Sequence, residues 1–117
     1  MTQTKTRNLY EGMFLLSAAI NEAEQEAVLK RLEDDIVQRG GEVLKKHDFG
    51  RRQLAYEVEG QREGHYFLWY YEAPPEEMKE MWFEYRLHRK SLHLLRFMTL
   101  RADKVPEEIK FKPVGER

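Results

Sequence analysis

The spacing of apolar residues changes several times along the chain, and each change marks an element. Leu9 to Leu16 is a nearly continuous apolar run with Tyr10, Met13 and Phe14, which predicts a first strand covered on both faces. Asn21 then offers a helix cap, Glu24 stands three residues on as in a capping box, and Val28, Leu29, Leu32 and Ile36 recur at helical spacing. Gly40-Gly41 is expected to stop this helix in the left-handed conformation that glycine adopts cheaply. A second strand is expected from Glu42 to Val58. Val43, Leu44 and Phe49 supply its first half, and Leu54, Tyr56 and Val58 alternate along its second. Between the halves stands Gly50-Arg51-Arg52. A glycine inside a strand predicts a bulge or bend, which would re-aim Arg51 and Arg52. On the local residues alone, a solvated edge strand guarded by charge and a binding role weigh equally.

Gly60-Gln61-Arg62-Glu63-Gly64 reads as a short loop joining strands two and three into a hairpin. Strand three, His65 to Glu72, contains Tyr66-Phe67-Leu68-Trp69-Tyr70-Tyr71, the most aromatic part of the chain. Pro74-Pro75 stops that strand and starts a second helix, with Glu76 and Glu77 at the positive end of its dipole and Met78, Trp82 and Tyr85 as its apolar stripe. A last strand fits Leu92 to Leu100. The order β-α-β-β-α-β predicts an α+β, ferredoxin-like fold, a four-stranded antiparallel sheet with two helices on one face. Strands one and three, the apolar ones, belong at its centre. The expected organisation is a flexible segment 1–8, one domain over 9–102 and a charged tail over 103–117. With both helices on one face, some rings of strand three are expected on the other, as an exposed patch for a partner.

Composition narrows the function more than the fold. The formal net charge of -1 gives no overall steering toward nucleic acid, although 35% of residues are charged. Distribution matters more. From Arg86 to Ala102 the chain carries Arg86, Arg89, Lys90, Arg96 and Arg101 and no acidic residue, a local basic strip. The absence of cysteine excludes disulfides and thiolate chemistry and suits a reducing cytoplasm. The first residues lack an apolar signal core, so neither membrane insertion nor export is expected. His47, His65, His88 and His93 lack metal-ligand spacing, Ser17 and Ser91 lack a nucleophile signature, and the glycines form no phosphate loop. No enzyme, no cofactor and no small-molecule substrate is expected.

Nucleic-acid binding has better support. Glu63-Gly64-His65-Tyr66-Phe67-Leu68-Trp69-Tyr70 matches part of the third-strand pattern of RNA-recognition motifs, though Glu63 replaces its basic residue. Strand one offers only Leu9-Tyr10 toward the companion pattern. An alternative from another class is a stand-alone ferredoxin-like module that self-associates through its free sheet face.

The segment Gly50-Arg51-Arg52-Gln53-Leu54-Ala55-Tyr56-Glu57-Val58 resembles the signature of the bacterial family of the sixth small-subunit ribosomal protein. The likeness extends from Asn8-Leu9-Tyr10-Glu11 through Gly40-Gly41-Glu42-Val43 and Gly64-His65-Tyr66-Phe67-Leu68 to Leu95-Arg96-Phe97. Glu57 stands where proline is common in that family, and the stretch Arg86 to His93 is longer and more basic. The resemblance implies the same fold and a structural role in the small ribosomal subunit. It further implies contact with the central domain of the small-subunit ribosomal RNA, together with the small basic eighteenth protein of that subunit. Arg7, Arg86, Arg89, Lys90, Arg96 and Arg101 are the expected RNA contacts. Arg51, Arg52, Tyr56 and Trp69 are expected to meet the partner protein or the RNA.

Overall fold

Six elements follow in the order β1 (Asn8–Ser17), α1 (Glu22–Gln38), β2 (Glu42–Val58), β3 (Gln61–Ala73), α2 (Pro75–Leu87) and β4 (Leu94–Arg101), in a computed structural model that describes residues 6–108. The strands form one antiparallel sheet in the order β2-β3-β1-β4. The expected ferredoxin-like arrangement is therefore present, with the two apolar strands central and the charged strands at the edges.

Local chemistry explains most boundaries. Asn21 caps α1 by accepting from the Glu24 amide at 2.8 Å, while the Glu24 carboxylate accepts from the Asn21 amide at 3.2 Å. At the other end only Gly40, with φ +90°, is left-handed. Gly41 serves differently from the expectation: a Cβ there would lie 2.6 Å from the Glu72 carbonyl oxygen, so glycine admits the close passage of β3. The β2–β3 connection is also tighter than expected. Glu59 (φ 51°) and Gly60 (φ 77°) make the whole turn, Val58 pairs with Gln61, and residues 61–64 already belong to β3. Leu92 is not in the last strand but is buried in the turn before it, its amide donating to the His88 carbonyl at 3.2 Å.

The face under the helices is an interlocked aromatic core. Trp82 of α2 stacks on Phe14 of β1 at 5.6 Å and on Phe97 of β4 at 5.0 Å, and Phe14 meets Trp69 edge-on at 5.3 Å. The Trp82 indole N–H donates to the Tyr71 hydroxyl at 3.1 Å, which also shares a hydrogen bond with Thr99 at 2.6 Å. Burial pushes the Tyr71 phenol up to about 12. Arg39, just past α1, ties the helices together: its guanidinium lies 2.9 Å from Asp35, 3.0 Å from Glu84 and 3.5 Å from Glu77.

The other face differs from the expectation of an exposed aromatic patch. Tyr66, Leu68 and Tyr70 of β3 and Met13 and Leu15 of β1 do point there, yet each is at most 4% exposed. Two irregular segments cover them. At one end β2 leaves its ladder with β3 between Gln53 and Val58, and Phe49, Leu54 and Val58 pack across the face. At the other end the chain after β4 crosses it. The Ala102 amide donates to the Leu9 carbonyl at 2.9 Å, Val105 packs on the apolar cluster, and Lys45 Nζ on β2 donates to the Pro106 carbonyl at 3.2 Å. Val105, Pro106 and Glu107 of the expected tail thus contact the sheet, and 109–117 lie outside the described residues, as do 1–5 of the expected leading segment.

Candidate nucleic-acid and protein interface

Gly50 (φ +78°) sits at a bulge, where the pairing of β2 with β3 shifts between Asp48 and Gly50. No atom lies within 4 Å of where its Cβ would be, so conformation and not space calls for glycine. Asp48 completes the bulge by accepting from the Gly50 amide at 2.7 Å. The bulge does re-aim the two arginines. Arg51 donates to the Ala18 carbonyl at 2.7 Å, tying the edge strand to the β1–α1 connection, and Arg52 donates to the Phe49 carbonyl at 3.2 Å. Both residues remain exposed. Both arginines therefore help hold the edge strand in its bent course.

The expected RNA contacts separate into two groups. Arg86 at the end of α2, Lys90 in the following turn and Arg101 at the end of β4 are exposed, and none has a carboxylate partner among the described residues. Arg7, Arg89 and Arg96 are engaged. Arg7 lies 3.8 Å from Glu42. Arg89 reaches Glu59 at 2.7 Å and the Leu95 carbonyl at 3.3 Å, fastening the hairpin tip to β4. Arg96 lies under the Tyr56 ring, its guanidinium carbon 5.9 Å from the ring centroid.

Tyr56 and Trp69 were paired by sequence and are parted by structure. Tyr56 is 49% exposed on the stretch that leaves the ladder. Trp69 is 2% exposed on the helix-covered face, beneath Lys46 and against Phe14, so as a contact residue it is corrected to core. Sequence reading also missed an apolar step on the outer side of α2. Phe83 and Leu87, one turn apart, are 59% and 65% exposed. The signal was available: both fall off the helical stripe of Met78, Trp82 and Tyr85.

Tyr70 lies buried on the sheet face beside Glu11. Burial, aided by its hydrogen bond to Glu11 at 3.1 Å, pushes its phenol up to about 12. Among the described residues no cluster of three or more His, Asp or Glu side chains is arranged to hold a metal, and no helix is long and apolar enough to cross a membrane.

Residues 9–101 match the family of ribosomal protein S6. The small ribosomal subunit protein bS6 of Protochlamydia amoebophila is 44% identical over 113 residues, covering 97% of this chain and 96% of that protein. Its counterpart in Chlamydia muridarum is 43% identical over 112 residues, covering 96% and 97%. The crystal structure of 30S ribosomal protein S6 from Thermotoga maritima superposes with a TM-score of 0.74 at 28% identity, covering 83% of this chain and 89% of that one. The chain therefore belongs to the ribosomal protein S6 family, a structural and non-enzymatic component of the small subunit of the bacterial ribosome, in the cytoplasm.

Proposed function

We propose that the protein binds the central domain of the small-subunit ribosomal RNA jointly with the small basic eighteenth protein of the subunit. One observation carries the RNA half of this reading. Among the described residues Arg39, Lys46 and Arg89 are held by carboxylates, whereas Arg86, Lys90 and Arg101, spread from the end of α2 to the far end of the edge strand β4, are exposed and without such partners, as are Arg31, Lys79 and Lys104 elsewhere. Unpaired cations suit phosphate oxygens, which position a protein on RNA without reading its sequence. The near-zero net charge supports a shared site, because a basic partner supplies the remaining phosphate contacts. For the partner, β2 is an edge strand of the sheet and presents the exposed Arg51 and Arg52 on its bulge.

The test is the salt dependence of binding to a central-domain RNA fragment in the presence of the partner. Replacing Arg86, Lys90 and Arg101 together by glutamine is expected to weaken binding and lower the slope of log K against log salt by about two to three. An unchanged slope contradicts the assignment.

A further inference from the structure

Arg96 has a ring contact with Tyr56 but an incomplete set of hydrogen bonds. Its Nε is buried and has no hydrogen-bond partner, and among the described residues no carboxylate pairs with the guanidinium. The Nε–H is therefore an uncompleted site, because a buried donor of a charged group loses its water without replacement. What covers it is Tyr56. That residue lies on the stretch between Gln53 and Val58, where β2 has no ladder partner on β3, and its ring is half exposed. Glu59 and Val58 anchor the far end of this stretch, the first through Arg89 and the second in the apolar cluster. The stretch is therefore fixed at both ends and unpaired between them.

We propose that residues 54–57 form a cover over Arg96, and that Arg96 is a phosphate ligand completed only when the cover lifts on RNA binding. A phosphate oxygen supplies the acceptor that Arg96 lacks, and guanidinium suits it in geometry and charge. The position favours RNA over a protein carboxylate. Arg89, paired with Glu59, reaches the carbonyl of Leu95, next to Arg96, and Lys90 beside it is exposed and without a carboxylate partner among the described residues, so the uncovered guanidinium lies near a further cation. The closed cover makes Arg96 an RNA contact only in a minor conformation of the free protein, which lowers affinity by the fraction that is open.

This inference rests on the RNA contact proposed above, and the experiment separates the two. The full chain with its partner is titrated against the central-domain RNA fragment over a range of salt, as wild type, Tyr56→Ala, Arg96→Gln and the double variant. Tyr56 is exposed, so its replacement leaves the core intact. Tyr56→Ala is expected to tighten binding roughly three- to tenfold by removing the closed state. Arg96→Gln is expected to lower the salt slope by about one, and to abolish the gain from Tyr56→Ala. In the free protein the Arg96 Nε–H resonance is expected to shift on Tyr56→Ala. Weaker binding by Tyr56→Ala, equal in both backgrounds, overturns the proposal, since Tyr56 would then be a contact in its own right, to RNA or to the partner. An unchanged slope in Arg96→Gln also overturns it. If Arg86, Lys90 and Arg101 still set the slope in that case, only the cover fails; if they do not, the RNA contact itself fails.

Discussion

The two faces of the sheet are both buried but by different means. Under α1 and α2, regular helices bring Trp82, Met78, Val28, Leu32 and Ile36 onto Phe14, Trp69 and Tyr71, and rings stack within 5.0–5.6 Å. On the other face, the irregular stretch of β2 and the segment after β4 cover Tyr66, Leu68, Tyr70 and Leu15, among the described residues chiefly with Phe49, Leu54, Val58 and Val105. A helix contributes a continuous stripe and satisfies its own backbone, so it is hard to remove in part. An irregular cover held by a few bonds is cheaper to move. The first cover resists partial removal, and the second yields more readily.

The sharpest way to break this contrast is to cut into each cover in turn. Phe14→Ala on the helix face is expected to cost about 3–5 kcal/mol in denaturant unfolding, because the ring joins Trp69 and Trp82. Alkaline pH probes both faces together. Tyr70 and Tyr71 have folded pKa values raised to about 12 from 10.0, so their contribution is complete below pH 10 and is lost as pH rises toward 12. In that window Tyr71 is expected to remove up to about 1.4 kcal/mol per pH unit and Tyr70, whose hydroxyl is nearer solvent, less, read as a falling thermal midpoint alongside tyrosinate absorbance. Tyr85, raised further by burial and by Asp35, adds to the same trend. A stability flat to pH 12 would show that these rings are not buried. Arg39→Met, which strips the clamp between α1 and α2, is expected to cost about 2 kcal/mol in the same unfolding assay. Gly50→Ala is expected to cost roughly 1–2 kcal/mol through its positive φ alone, with no steric penalty. Val105→Ser should cost least, about 1 kcal/mol, and speed amide exchange at Ala102 without affecting Trp82. A Val105 effect as large as that of Phe14 would erase the distinction between the faces.

What the sequence disclosed follows from how far each signal reaches. The capping box at Asn21, the prolines before α2 and the alternation along the strands are local, and they place the elements within a few residues. Gly50 announced its bulge because its positive φ is a property of one residue. The turn at Glu59-Gly60 was read too long because Glu59 adopts positive φ without the glycine that usually marks it. Trp69 was misassigned because every residue from Tyr66 to Tyr71 is apolar, so periodicity says nothing about which side meets which cover. Nor does any local pattern reveal that residues 102–107 return across the sheet to Lys45, more than fifty residues away in the chain. The basic strip was visible as composition, but its division into free Arg86, Lys90 and Arg101 and engaged Arg89 and Arg96 depends on partners supplied by the fold.

Crosslinking within purified small subunits, with mapping of the attached peptides, tests the central claim most directly. RNA adducts are expected on Arg86, Lys90 and Arg101, protein adducts along β2 near Arg51 and Arg52, and none on the outer surface of α1, where Glu22, Glu24, Glu26 and Asp34 repel phosphate. RNA adducts concentrated on α1, with Arg86, Lys90 and Arg101 unmodified, would contradict that claim.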